Sequence, residues 1–269
     1  MPGGVAREGG CAIAVMAKAP RAGAVKTRLV PPLTPEIASA LSAGFLRDVT
    51  ENIALAGRDT QIYGYVAYAP AGSEGLFDGM VAGGTRFVVA DGAGVKAARV
   101  DGFGRSLLHA AQALFASGHD AVCLLNSDSP TLPTALLSRA AAALAADGDR
   151  VVLGPADDGG YYVLGMKAPY PHLFEDIAWS TGDVAEKTRE RARALGLPLV
   201  ELDPWYDVDD AAALHRLCRD LADERPGHKT IPYPARHTAD CIERLGVRDL
   251  LAAAPQSAPG CIRPNQGSA

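Results

Sequence analysis

The stretch AVCLLNSD, residues 121–128, is apolar without interruption for five positions and then turns abruptly polar. A strand that alternates apolar and polar residues can leave one face to water. A run with no polar position must be covered on both faces, as the central strands of parallel sheets are. Its neighbours supply that cover. CAIAVMA (11–17), QIYGYVAYA (61–69), RFVVA (86–90), RVVLGPA (150–156), YYVLGM (161–166) and LPLVELD (197–203) read as further short strands. Between them lie helical patterns at 34–56, 103–118, 132–146, 181–196 and 209–224. The first is the clearest: Thr34 is placed to cap it, Pro35 stands at its first position, and Ile37, Leu41, Phe45, Leu46, Val49 and Ile53 recur at helical spacing. Strands alternating with helices predict an α/β fold, a three-layer αβα sandwich around a Rossmann-like, mostly parallel sheet.

The pattern fills residues 11–224, which we read as one domain. Residues 225–269 form a C-terminal extension with Pro226, Pro232 and Pro234, one helix over TADCIERLGVRDLLAAA, and a disordered end after Ala254. This extension is expected to pack on the domain or to mediate self-association, a homodimer being one outcome. The formal net charge of −5 offers no global basic field for nucleic acid, so an anionic ligand must be met locally. Five scattered cysteines without a C-x-x-C pair argue against a disulfide framework and a zinc site. No apolar run approaches the ~20 residues of a membrane span, and MPGGVAREGG lacks the order of a signal peptide. A cytoplasmic location is expected.

Ligands of open parallel sheets gather at the carboxyl ends of the strands, and the informative residues lie there. After the first strand, MAKAPRAGAVKTRL brings Lys18, Arg21, Lys26 and Arg28 together with Gly23. Val25 directly precedes Lys26, so this is not a P-loop, but the cations suit phosphate. After the central strand, NSDSPTLP offers Asp128 either as a ligand for Mg²⁺ or Mn²⁺ or as part of a turn capping the next helix. After the last strand, Asp207 and Asp209 form a second carboxylate loop that can share the ion, while Asp210 suits a helix cap.

In GPADDGGYYVLGM, Asp157 and Asp158 precede Gly159 and Gly160. As structure alone this is a hairpin turn. As a site, the glycines admit a sugar or nucleotide close to the backbone, Asp157 or Asp158 takes a hydroxyl, a metal or a proton, and Tyr161 lines the pocket. Trp179, Ser180 and Thr181 precede a helix and either pack or offer donors to an anion. Arg105, near the start of the second helix, is expected to reach the nucleotide. G-x-S-x-G is absent, and so is a strand-to-helix G-x-G-x-x-G, which argues against a serine hydrolase and a nicotinamide enzyme.

Taken in order, AKAPRAGAVKTRL, NSDSPTLP, DDGGYYVLG, WSTGDV and DVDD resemble the small bacterial glycosyltransferase-A-like transferases, long grouped as a domain of unknown function and labelled arsenosugar-type glycosyltransferases. The resemblance covers about residues 13–221. It implies the nucleotide-diphospho-sugar transferase (GT-A) fold, phosphate contacts from Lys18, Lys26 and Arg28, a divalent metal on Asp128, and Asp209 as a second ligand. The expected function is transfer of a sugar from a nucleoside-diphosphate donor to a small-molecule acceptor. Nucleotidyl transfer from a nucleoside triphosphate is the close alternative, because the basic loop suits a triphosphate, and a non-catalytic nucleotide-binding protein is a third.

Overall fold

The computed structural model describes residues 9–222 and 230–253. Within these residues seven strands form one sheet: β1 (Cys11–Ala17), β2 (Ile62–Tyr68), β3 (Arg86–Val89), β4 (Ala121–Leu125), β5 (Val151–Pro155), β6 (Tyr161–Met166) and β7 (Leu199–Glu201). Their order is β3-β2-β1-β4-β6-β5-β7. All neighbours run parallel except β6, which is antiparallel to both β4 and β5. The DDGG segment is therefore the turn of a hairpin, and its tip lies at the same end of the sheet as the carboxyl ends of the other strands.

Among the described residues seven α-helices accompany the strands: α1 (Pro35–Ala56), α2 (Phe103–Ala116), α3 (Thr134–Ala145), α4 (Val184–Ala194), α5 (Ala211–Leu221), α6 (Arg236–Arg244) and α7 (Val247–Ala253). Thr34 caps α1 as expected, its side chain accepting from the Ile37 N–H at 3.3 Å. Two apolar clusters flank the sheet. On one face Ile13, Val15, Cys123 and Leu125 meet Leu41, Phe45 and Ile53 of α1, Leu136 and Leu144 of α3, and Leu214 and Leu217 of α5. On the other, Ala12, Ala14, Val122 and Leu124 meet Leu107, Ala111 and Leu114 of α2 and Ala185 and Ala192 of α4. The continuous apolar run of β4 is thus buried on both faces, and the αβα sandwich is the architecture observed.

The single helix expected beyond residue 237 is two. Gly246, at φ +61°, breaks it into α6 and α7. Both carry core residues, Cys241, Ile242, Val247 and Leu251, in the same cluster as α1 and α5. Asp48 of α1 fastens the start of α6 by accepting the N–H groups of His237 at 3.1 Å and Thr238 at 2.7 Å. The disordered end expected after Ala254 lies outside the described residues. Among the described residues no helix is long and apolar enough to cross a membrane.

Candidate functional site

The loop after β1 is shaped by two left-handed residues. Gly23 has φ +75° with open space where a Cβ would sit, so its glycine serves the turn rather than a close approach. Lys26 has φ 49° and heads a short 3₁₀ turn, Thr27–Leu29, anchored by the fully buried Leu29. This geometry turns the Lys26 side chain inward, where only 5% of it is exposed. Its Nζ lies 2.7 Å from Asp128 Oδ1 and 3.0 Å from Asp209 Oδ1, and donates to the Val208 carbonyl at 2.8 Å. Burial alone lowers a lysine pKa, but the two carboxylates outweigh it and hold the ammonium above its ordinary value.

Asp128 and Asp209 come from separate strand ends that the backbone laces together. The Val208 N–H donates to the Asp128 carbonyl at 2.8 Å, and Ser129 Oγ donates to the Tyr206 carbonyl at 2.9 Å. Asp128 caps no helix: the residue at the cap of α3 is Pro133, without a side-chain bond. Ser127 Oγ donates to Asp128 Oδ1 at 3.0 Å. Asp210 is the helix cap that its position suggests, accepting from the Ala213 N–H at 2.8 Å.

Around this clasp opens a crevice of about 390 Å³, lined by Lys18, Lys26, Arg28, Asp128 and Asp209 on its polar side and by Met16, Tyr68, Ala90 and Phe103 on its apolar side. Arg28 is 70% exposed, its Nη1 3.9 Å from Asp209 Oδ2, which leaves its guanidinium free to meet an anion. Sequence reasoning missed Tyr68 and Phe103. Each stands where a signal exists: Tyr68 ends β2 and Phe103 opens α2 at the crevice end of the sheet, and Phe103 is a large apolar side chain left 47% exposed.

Other sequence-selected residues make contacts within the fold. Arg105 donates to the Val95 carbonyl at 2.7 Å and does not line the crevice; it ties down the loop before α2. A Cβ on Gly159, at φ +88°, would stand 2.0 Å from the Gly182 carbonyl oxygen, so the close backbone neighbour of this glycine is the loop before α4. The Gly160 N–H donates to Asp158 Oδ1 at 2.8 Å within the hairpin turn. Asp157 pairs with Arg216 at 2.6 Å. Trp179 packs edge-on to Phe103, their ring centroids 5.6 Å apart, and fills the space that Gly104 leaves; it supports a crevice wall from behind. Ser180 takes φ +66° in the turn before α4, and Thr181 Oγ1 donates to the Ala178 carbonyl at 2.6 Å and to the Asp183 carboxylate. The Tyr161 hydroxyl is buried with no hydrogen-bond partner among the described residues, and burial pushes its pKa up.

Asp207 is half-buried on the loop that carries Asp209 and is not among the residues that line the crevice. Burial first, and then the charges of Asp158, Asp209 and Asp128, push its pKa up to about 7. Carboxylate oxygen is the hard donor that Mg²⁺ and Mn²⁺ prefer, and Asp128 and Asp209 both line the crevice. Asp128, Asp207 and Asp209 are not drawn into one tight triad. Among the described residues, only Asp48, Glu51 and His237 have ligand atoms all within 4.8 Å of one another, and these already serve the joint between α1 and α6. The crevice therefore fits an ion held by one or two carboxylates and completed by other oxygens.

The Asp207 shift has a testable sign. The folded chain holds a proton that the unfolded chain releases at an ordinary carboxylate pKa, so the associated stability is greatest at low pH and is lost as pH rises through about 7. With divalent ions chelated, the melting temperature is expected to fall across that interval, and Asp207→Asn should flatten the fall. Equal slopes in the two proteins would contradict the assignment.

The family model described as "Uncharacterized protein conserved in bacteria (DUF2064)" matches residues 50–181. No curated protein matches the chain. A solved structure from Desulfovibrio desulfuricans G20, provisionally named a nucleotide-diphospho-sugar transferase, is 26% identical with a TM-score of 0.73, over 91% of this chain and 97% of its own. A nucleotidyl transferase from Methanothermobacter thermautotroptrophicus is 17% identical with a TM-score of 0.47, over 81% of this chain and 99% of its own. Rv0371c from Mycobacterium tuberculosis H37Rv is 20% identical with a TM-score of 0.41, over 79% and 98%. The family match over residues 50–181 and the fold shared with the Desulfovibrio protein support the resemblance carried by the motifs: this chain is similar to those bacterial proteins and is built on the nucleotide-diphospho-sugar transferase fold.

Proposed function

We propose that the chain is a divalent-metal-dependent transferase that takes a nucleotide-linked donor, passing a sugar from a nucleoside diphosphate to a small-molecule acceptor. The observation that carries this reading is the clasp of Lys26 by Asp128 and Asp209 inside a crevice that also presents Lys18 and Arg28. Lys18 and Arg28 bind the donor phosphates, and the apolar wall of Tyr68 and Phe103 receives the base. Asp128 and Asp209 hold the ion. When bound, Mg²⁺ or Mn²⁺ neutralises charge developing on the departing phosphate. Asp158 takes the acceptor hydroxyl and its proton, since the Asp157 carboxylate is already committed to Arg216.

A second reading, nucleotidyl transfer from a nucleoside triphosphate, is favoured by the density of cations along one loop: Lys18, Arg21, Lys26 and Arg28 fall within eleven residues. The experiment that separates them measures nucleoside diphosphate released from a panel of nucleotide-sugars against pyrophosphate released from nucleoside triphosphates, each with Mg²⁺ or Mn²⁺. Release of neither, with nucleotide binding intact, would leave a binding protein and remove both catalytic readings. Arg28→Ala is expected to weaken donor binding about tenfold while barely moving the melting temperature, because an exposed pair at 3.9 Å contributes little to folding. Unaltered donor affinity in calorimetry would remove Arg28 from the site.

A further inference from the structure

The Lys26 ammonium has three N–H donors and three acceptors around it, Asp128 Oδ1, Asp209 Oδ1 and the Val208 carbonyl, at 2.7, 3.0 and 2.8 Å. Its side chain is buried and its hydrogen-bonding capacity is filled. A divalent ion shared by the two carboxylates would need an oxygen of each at ~2.0–2.6 Å from a common centre, and the ammonium already stands between Asp128 Oδ1 and Asp209 Oδ1. Two cations cannot occupy one such gap in a low-dielectric crevice. Arg28, exposed beside Asp209, leads outward from the clasp and gives an incoming anion a first point of contact.

We propose that Lys26 is a tethered competitor for the divalent ion. It fills the gap between Asp128 and Asp209 until a diphosphate accepts its ammonium, and only then do the carboxylates become available as a pair. The idea rests on the site reading above and adds a consequence to it: metal and phosphate bind with positive coupling, because each removes a partner that obstructs the other. Withdrawing Lys26 costs most when no phosphate is there to receive it. The ion alone therefore meets an occupied site, and the phosphate alone must draw the lysine away from two anions.

The test titrates Mn²⁺ and reads the free ion by electron paramagnetic resonance. Wild type, Lys26→Met, Lys26→Gln and the Lys26→Met/Asp128→Asn double variant are compared with no nucleotide present. Both single variants are expected to bind Mn²⁺ about tenfold more tightly than wild type, and the double variant should lose that gain. Gln keeps a donor for the Val208 carbonyl, so it guards against a Met variant that fails to fold. In wild type, pyrophosphate should strengthen Mn²⁺ binding by a similar factor after correction for the manganese–pyrophosphate complex in protein-free controls, and this arm needs no variant. Folded single variants with unchanged or weaker Mn²⁺ affinity, or a wild-type affinity indifferent to pyrophosphate, would overturn the competition while leaving a metal-binding site in place. A wild type that binds Mn²⁺ with neither condition would remove the site reading as well.

Discussion

Asp128→Asn is expected to lower turnover of a nucleotide-linked donor by about two to three orders of magnitude while shifting the melting temperature by only a few degrees. Asn keeps the shape and most of the hydrogen bonding of Asp but removes the charge that an ion or the Lys26 ammonium requires. The alternative role open to Asp128, a helix cap, would be filled by Asn at almost no cost, and the start of α3 excludes it, because Pro133 holds that position with no side-chain bond. The stability change stays small for a geometric reason: Lys26 retains Asp209 at 3.0 Å and the Val208 carbonyl at 2.8 Å after Asp128 loses its charge. Steady-state release of the nucleotide product, read beside a thermal melt, checks both halves. Full metal-dependent turnover in Asp128→Asn would end the case for a metal at this carboxylate.

Gly159→Ala is expected to destabilise the fold by about 3 kcal/mol or more. Two costs coincide there. The backbone is left-handed at φ +88°, and the new methyl would stand 2.0 Å from the Gly182 carbonyl oxygen, which is backbone and cannot swing aside. Gly23→Ala separates the two: at φ +75° it shares the left-handed strain but has nothing within 4 Å, so it should cost only about 1 kcal/mol. Urea unfolding of the two variants measures the difference. Equal destabilisation would mean that the β5–β6 hairpin tip and the loop before α4 do not press on each other as described.

What could be read from residues alone follows from what is local. The strand and helix pattern was legible because burial on two faces leaves an uninterrupted apolar run, as in β4, and burial on one stripe leaves a helical repeat, as in α1. Asp128, Asp209, Lys18, Lys26 and Arg28 were legible as a set because charged residues at strand ends have one common place to go, and they do share one crevice. The roles of Gly159, Arg105 and Trp179 were not legible. Each depends on a partner distant in sequence or on a loop path that no periodicity encodes: the Gly182 backbone, the Val95 carbonyl and the gap above Gly104. The inward turn of Lys26 was equally hidden, since residue type predicts a cation for phosphate and only the left-handed backbone at that residue aims it at two carboxylates. The direction of β6 was legible only through the DDGG hairpin turn, not through apolar pattern or composition. A two-faced apolar strand reads the same in both directions.

The bond from Lys26 to the Val208 carbonyl joins residues 182 positions apart, and the Asp209 contact reaches one further. A ribosome delivers the chain from its amino end, so the basic loop emerges early and waits for its partners until α5 begins to appear. Nearly the whole αβα domain must be synthesised before the crevice has its full set of charges. A nascent or truncated chain ending before residue 208 can build β1 through β7 and still lack the closing carboxylate. Nucleotide retention by such fragments thus becomes a clock for assembly: it should switch on late and abruptly with chain length, rather than grow in proportion to the sheet already formed.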